Sequence, residues 1–152
     1  MSLAVTEIED AIAAQLQRLL GDPVIEGLQV YPRMVWNPSP PTIDVYPDPQ
    51  FQIPLGFGRG DNQLFFVVRA RVNTPDHEGA QDLLLAMMDP QASTSVAAAI
   101  TAAGTSSPAK TLDGQVENAT VIEGPSDFGA FSDPGPNGGA LLGCTWRVQV
   151  IP

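Results

Sequence analysis

The spacing of apolar residues changes period along the chain, and each change marks an element. From Thr6 onward Ile8, Ile12, Leu16, Leu19 and Leu20 recur at helical spacing. Thr6 followed by Glu9 forms a capping-box signature, and the early acids Glu7, Glu9 and Asp10 suit the positive end of a helix. Arg18 lies near the other end, Gly21 is placed for a left-handed residue just past the helix, and Pro23 prevents continuation. An N-terminal amphipathic helix is predicted. Two short β-prone pieces follow, about 28–36 and 42–46, parted by NPSPP, whose prolines cannot donate to a sheet ladder.

QLFFVVRARVN, residues 63–73, switches to strict alternation. Leu64, Phe66, Val68, Ala70 and Val72 take one face, and Phe65, Val67, Arg69 and Arg71 take the other. A helix is predicted over 75–88, with Thr74 as N-cap, Pro75 in the first turn and a stripe of Ala80, Leu83, Leu84, Met87 and Met88. Asp89-Pro90 ends it, and a shorter helix runs from about Ser95 to Ala103. Strands are predicted around 116–122 and over 140–151, the latter with Leu142, Cys144, Trp146, Val148 and Val150 on one face. Phe66, Val68, Leu84, Met87, Trp146 and Val148 should pack together. The stretches 47–62 and 124–139 hold no period and read as long loops. The order α-β-β-β-α-α-β-β predicts one α+β domain over 1–152, a mainly antiparallel β-sheet with helices packed on one face.

Composition sharpens this picture only in part. With 43% hydrophobic residues the chain can bury a core, and its 15 Pro and 14 Gly fall mostly between the periodic segments. The net charge of −10 argues against a nucleic-acid clamp, since phosphates are repelled, yet it does not exclude a repulsive surface along which DNA slides without sticking. Cys144 is the single cysteine, so no internal disulfide staples the fold. The N-terminus lacks the basic start and apolar block of a signal peptide, and VAAAITAA at 96–103 is too short to span a bilayer. A soluble protein folded in a reducing compartment is expected.

Candidate chemistry is sparse. His77, the only histidine, stands between Asp76 and Glu78 in a helix first turn, where acids suit the macrodipole. Adjacent helical residues point about 100° apart, so the three cannot converge on one ion. Glu78 and Asp82 share a face but define no cleft. Cys144 fits a small buried hydrophobe better than a nucleophile paired with His77. GFGRG at 56–60 lacks the strand–glycine–helix context of a phosphate loop, and RGD at 59–61 is too short a match to argue adhesion. Trp36 and Trp146 suit core or interface anchors better than stacking platforms. No catalytic, metal or cofactor residues are assigned, and no enzyme is expected.

The two apolar faces of the central strand do call for explanation. Phe65 and Val67 lie opposite the core face, as do Leu141 and Ile151 in the last strand. Strands apolar on both sides are covered on both sides, and too few helices are predicted to do so. Another subunit is a natural cover, and the long loops are the alternative.

The N-terminal amphipathic helix is followed by GLQVYPRMVWNPSPPTIDVYP, and QLFFVVRARVNTPDHEGAQDLLLAMMDPQASTSVAAAI joins a long strand to a helix and a short Ser-Val-Ala helix. Together they resemble the tail terminator (tail completion) proteins of long-tailed bacteriophages of the siphophage type, especially those infecting actinobacteria. The wealth of Pro, Gly and Ala beside few lysines suits a high-GC host. The resemblance implies a hexameric ring, assembled in the host cytoplasm and carried in the virion neck. Such a ring caps the tail tube, ends its polymerisation and docks to the head connector or stopper protein. Genomic DNA passes through its lumen without specific binding, and no cofactor or membrane is involved. Two alternatives stand beside it: another head-to-tail joining protein such as the stopper, and a small ligand-binding or enzymatic domain using 47–62 as a lid.

A ring needs contacts. Phe65, Val67, Arg69 and Arg71, with Arg147 beside them if the last strand is adjacent, are the expected subunit interface, their cations meeting an acidic neighbour. Phe51, Phe57, Arg59, Phe128 and Phe131, carried by the two long loops, are the expected assembly residues.

Overall fold

The computed structural model describes residues 5–35, 41–54, 62–72, 78–102, 118–132 and 140–151. Helix α1 (Val5–Leu20) turns Ile8, Ile12, Leu16 and Leu20 wholly inward, as their spacing requires. Thr6 sits within the helix and does not cap it, and Glu9 is buried. Gly21 does not take the left-handed conformation either. Space explains it instead: a Cβ there would collide with the carbonyl and the side-chain amide of Gln17.

That amide closes the edge of the sheet. Gln17 Oε1 accepts from Val30 N–H at 3.0 Å, and Gln17 Nε2 donates to Leu28 C=O at 3.4 Å. The side chain thus stands in for a neighbouring strand along β1 (Gln29–Tyr31). β1 pairs parallel with β2 (Thr42–Pro54), which pairs antiparallel with β3 (Asn62–Val72). β5 (Ala140–Ile151) lies between β3 and β4 (Asn118–Ser132), antiparallel to both. The sheet order is β1-β2-β3-β5-β4. Helices α2 (Glu78–Met88) and α3 (Val96–Thr101) complete the predicted order. The chain is α+β, its sheet antiparallel apart from the β1–β2 pair.

The core forms where the periodicity placed it. Phe66, Val68, Trp146 and Val148 from one sheet face meet Leu84 and Met87 of α2, all six with no exposed surface. Ser95 caps α3, its Oγ accepting from Ala98 N–H at 3.1 Å. At the other end Gln15, buried on α1, donates Nε2 to Ala99 C=O at 2.6 Å and Ile100 C=O at 3.2 Å. Those carbonyls have no intrahelical partner, so a buried glutamine is tolerated because it finishes the neighbouring helix.

The strands overrun the predicted loops. The first β-prone piece shrinks to 29–31, but β2 continues through Pro47 and Pro49 to Pro54, into the expected 47–62 loop. Beyond Asp44 no described strand pairs with its outer side, so missing proline N–H groups cost no ladder bond there. A register shift between Pro47 and Gln52 absorbs the remaining irregularity. β4 likewise runs to Ser132, through more than half of the expected 124–139 loop. It does so as an edge strand with three register shifts between Val121 and Gly129. Gly124 takes φ 121 and Asp127 φ 56 in these bulges, conformations open to glycine and tolerated by aspartate.

Candidate functional site

The side of the sheet away from the helices holds the ion pairs of Arg69, Arg71 and Arg147. β2 contributes Asp44, Tyr46 and Asp48, β3 contributes Phe65, Val67, Arg69 and Arg71, and β5 contributes Thr145 and Arg147. The registers Asp44↔Arg69, Tyr46↔Val67 and Val67↔Arg147 set them side by side.

Asp44 is the centre of the first cluster. Its carboxylate is fully buried and receives Arg69 through Nε at 3.1 Å and through Nη2, with Arg71 Nη2 at 3.3 Å. The backbone of Val35 closes the cluster: its N–H donates to Asp44 Oδ2 at 3.1 Å, and its carbonyl accepts from Arg71 Nη2 at 2.8 Å. The chain after β1 is thereby strapped across this face. Arg33 ties the same segment to α1, reaching Asp10 at 3.1 Å and Glu9 at 3.9 Å. Burial pushes the Glu9 carboxyl above its usual range, a rise that Arg33 offsets and Asp10 reinforces.

The second cluster surrounds Arg147, whose guanidinium lies 4.1 Å from the Phe65 ring centre and donates Nε to Asp48 at 3.2 Å. Arg69 lies 5.2 Å from the Tyr46 ring centre. Burial raises the Tyr46 hydroxyl above its ordinary range, with Arg69 opposing and Asp44 adding to the shift. Between the clusters and β4 runs an open groove of about 380 Å³, lined by Tyr46, Asp48, Val67, Glu123, Asp127 and Arg147 among others.

This arrangement changes the reading of the expected interface. The acidic partner assigned to a neighbouring subunit is the chain's own Asp44. Phe65 and Arg71 are already buried within one subunit, at 3% and 6% exposure. Val67 and Arg147 are half-buried in the groove. Phe65 is therefore covered within the chain by Arg147, whose guanidinium lies over its ring. Asp44 and Asp48 escaped the reading of the sequence. Alternation through TIDVYPD did carry a signal, because it sets both on the polar face of their strand.

Of the expected assembly residues, Phe128 lies on β4 and is half exposed. Phe51 and Phe131 lie on β2 and β4, their side chains outside those described. Phe57 and Arg59 lie outside the described residues, as do His77 and Trp36. Cys144 is buried in the core, and desolvation pushes its thiol up to about 12, far from a nucleophile's range. Among the described residues no three His, Cys, Asp or Glu side chains converge on a metal-sized site.

No protein-family model matches the chain, and no curated protein matches it in sequence.

Proposed function

We propose that the chain is a structural subunit of the neck of a long-tailed phage, a tail terminator. In this reading six copies form a ring that caps the tail tube, stops its growth and receives the head connector. The reading is supported above all by the long central strand β3 leading into α2 and the short α3, the stretch on which the resemblance rests. It is also supported by the disposition of charge. Arg33, Arg69, Arg71 and Arg147 are each held by the chain's own carboxylates, so the excess of acid in a chain of net charge −10 is left unopposed. A ring with an acidic lumen repels phosphates and lets DNA slide through it. The role needs no active site.

The test is made on particles. Phage lacking this chain should produce abnormally long, headless tails, and a tagged copy should sit at the head-proximal end of isolated tails. Tails of normal length carrying heads would refute the reading. A tag retained on tail-free heads would assign the chain to the stopper instead.

A further inference from the structure

We propose that residues 32–35 form a strap whose closure over the outer face is coupled, through Arg33, to the charge of Glu9. This coupling stands apart from the tail reading. Pairing of β1 with β2 ends at Tyr31 and Asp44, so no ladder holds the chain beyond. None of residues 32–35 is buried, Met34 is 44% exposed, and neither Met34 nor Val35 joins the apolar core. The bonds described between this segment and other elements all end on charged side chains. At the sheet, Val35 N–H donates to Asp44, and Val35 C=O accepts from Arg71 at 2.8 Å and Arg69 at 3.5 Å. At α1, Arg33 reaches Asp10 at 3.1 Å and Glu9 at 3.9 Å. A segment held chiefly by charge, with little apolar surface in the core, opens before the fold as a whole does.

The α1 end is the one that can be switched. The side chains of Arg33 and Asp10 are both about half exposed, a pair that water and salt weaken. Glu9 beside them is buried. Arg33 is the cation that faces it from the strap, and Asp10 repels it from its own helix. Closing the strap brings Arg33 up to Glu9 and favours the carboxylate. Protonating Glu9 removes one of the two anions that hold Arg33. By linkage each event drives the other. A closed strap binds fewer protons than an open one, so it is tightest above the Glu9 titration and loosens as pH falls through it. Burial sets where that window lies, above the range of an exposed glutamate. Arg33 Nη1 also donates to Pro32 C=O at 2.8 Å, and the proline ring fixes one backbone torsion, so a moving Arg33 carries the strap's backbone with it. Lifting the strap takes Val35 away from Asp44 and Arg71 and admits water to charges that are otherwise dry. The outer face thereby gains an acid-sensitive state with no change in the core.

Amide hydrogen exchange of Val35, measured by NMR on the full chain beside the side-chain carboxyl signal of Glu9, tests the coupling. The amide of Val68, in the central strand, reports unfolding of the whole. Protection of Val35 should fall as Glu9 takes up its proton, while that of Val68 does not follow. Arg33→Gln should lower Val35 protection at neutral pH about two- to fivefold, the loss expected of an exposed ion pair. The same variant should raise the titration midpoint of Glu9, a response that a merely structural contact would not give. Glu9→Gln should abolish the pH step in Val35 protection, whereas Asp10→Asn should keep the step on a weaker baseline. The proposal is overturned if Val35 exchanges only together with Val68, which would make the strap part of the global unit. It is also overturned if Arg33→Gln moves neither Val35 protection nor the Glu9 midpoint, or if the step persists in Glu9→Gln.

Discussion

At the scale of single residues, the outer face depends on Asp44. A fully buried carboxylate with two guanidinium groups around it is stable only while all three charges remain, because each has lost its water. Asp44→Asn should lower unfolding free energy by about 3–5 kcal/mol, the usual cost of leaving a buried charge unpaired. Urea titration checks this; a loss below about 1 kcal/mol would place the pair in the class of exposed ion pairs. Glu9 behaves in the opposite sense. Its folded pKa lies above the unfolded value, so the stability it lends is full below the unfolded pKa and is lost as pH rises through the folded one. Glu9→Gln should therefore match the parent protein in mild acid and exceed its thermal midpoint at neutral pH. Equal midpoints throughout, or a deficit at neutral pH, would mean that the contact with Arg33 outweighs burial. Neither role was legible from the sequence. Glu9 reads as half of a capping box, and Asp44 becomes a partner for Arg69 only once strand register is known.

Among elements, legibility followed the strength of the period. β3, β5 and the stripes of α1 and α2 could be read because burial on one face repeats every second residue or every third to fourth. β2 and β4 could not be read to their ends, since Pro47, Pro49, Gly124 and Pro125 interrupt the pattern. An edge strand escapes that grammar: with only one side to satisfy, it absorbs prolines and bulges that a central strand would reject. Gly124 is the tightest point of the bulged region. A Cβ there would lie 2.8 Å from Thr145 O and 2.9 Å from the Trp146 Cα, in a backbone conformation that disfavours side chains. Gly124→Ala should cost about 1–3 kcal/mol for the strained backbone alone, and more if β4 lifts from β5. Hydrogen exchange reports it directly, through faster exchange of the β5 amides facing β4. Unchanged protection would mean the bulge yields without disturbing the pairing.

At the scale of the whole molecule, the two borders of the sheet are unequal. Along β1 the outward groups of Leu28 and Val30 are occupied by Gln17, while along β4 no described strand pairs with the outer side. Among the described residues β1 is thus closed to a further strand, while β4 and the outer side of β2 beyond Asp44 are not. Strand addition along β1 is thereby blocked, because its outward groups are already taken. If six copies do form a ring, the β1 edge does not supply its joints. The small amide of Gln17 acts as a terminator in its own right, one that keeps a further strand from adding along β1.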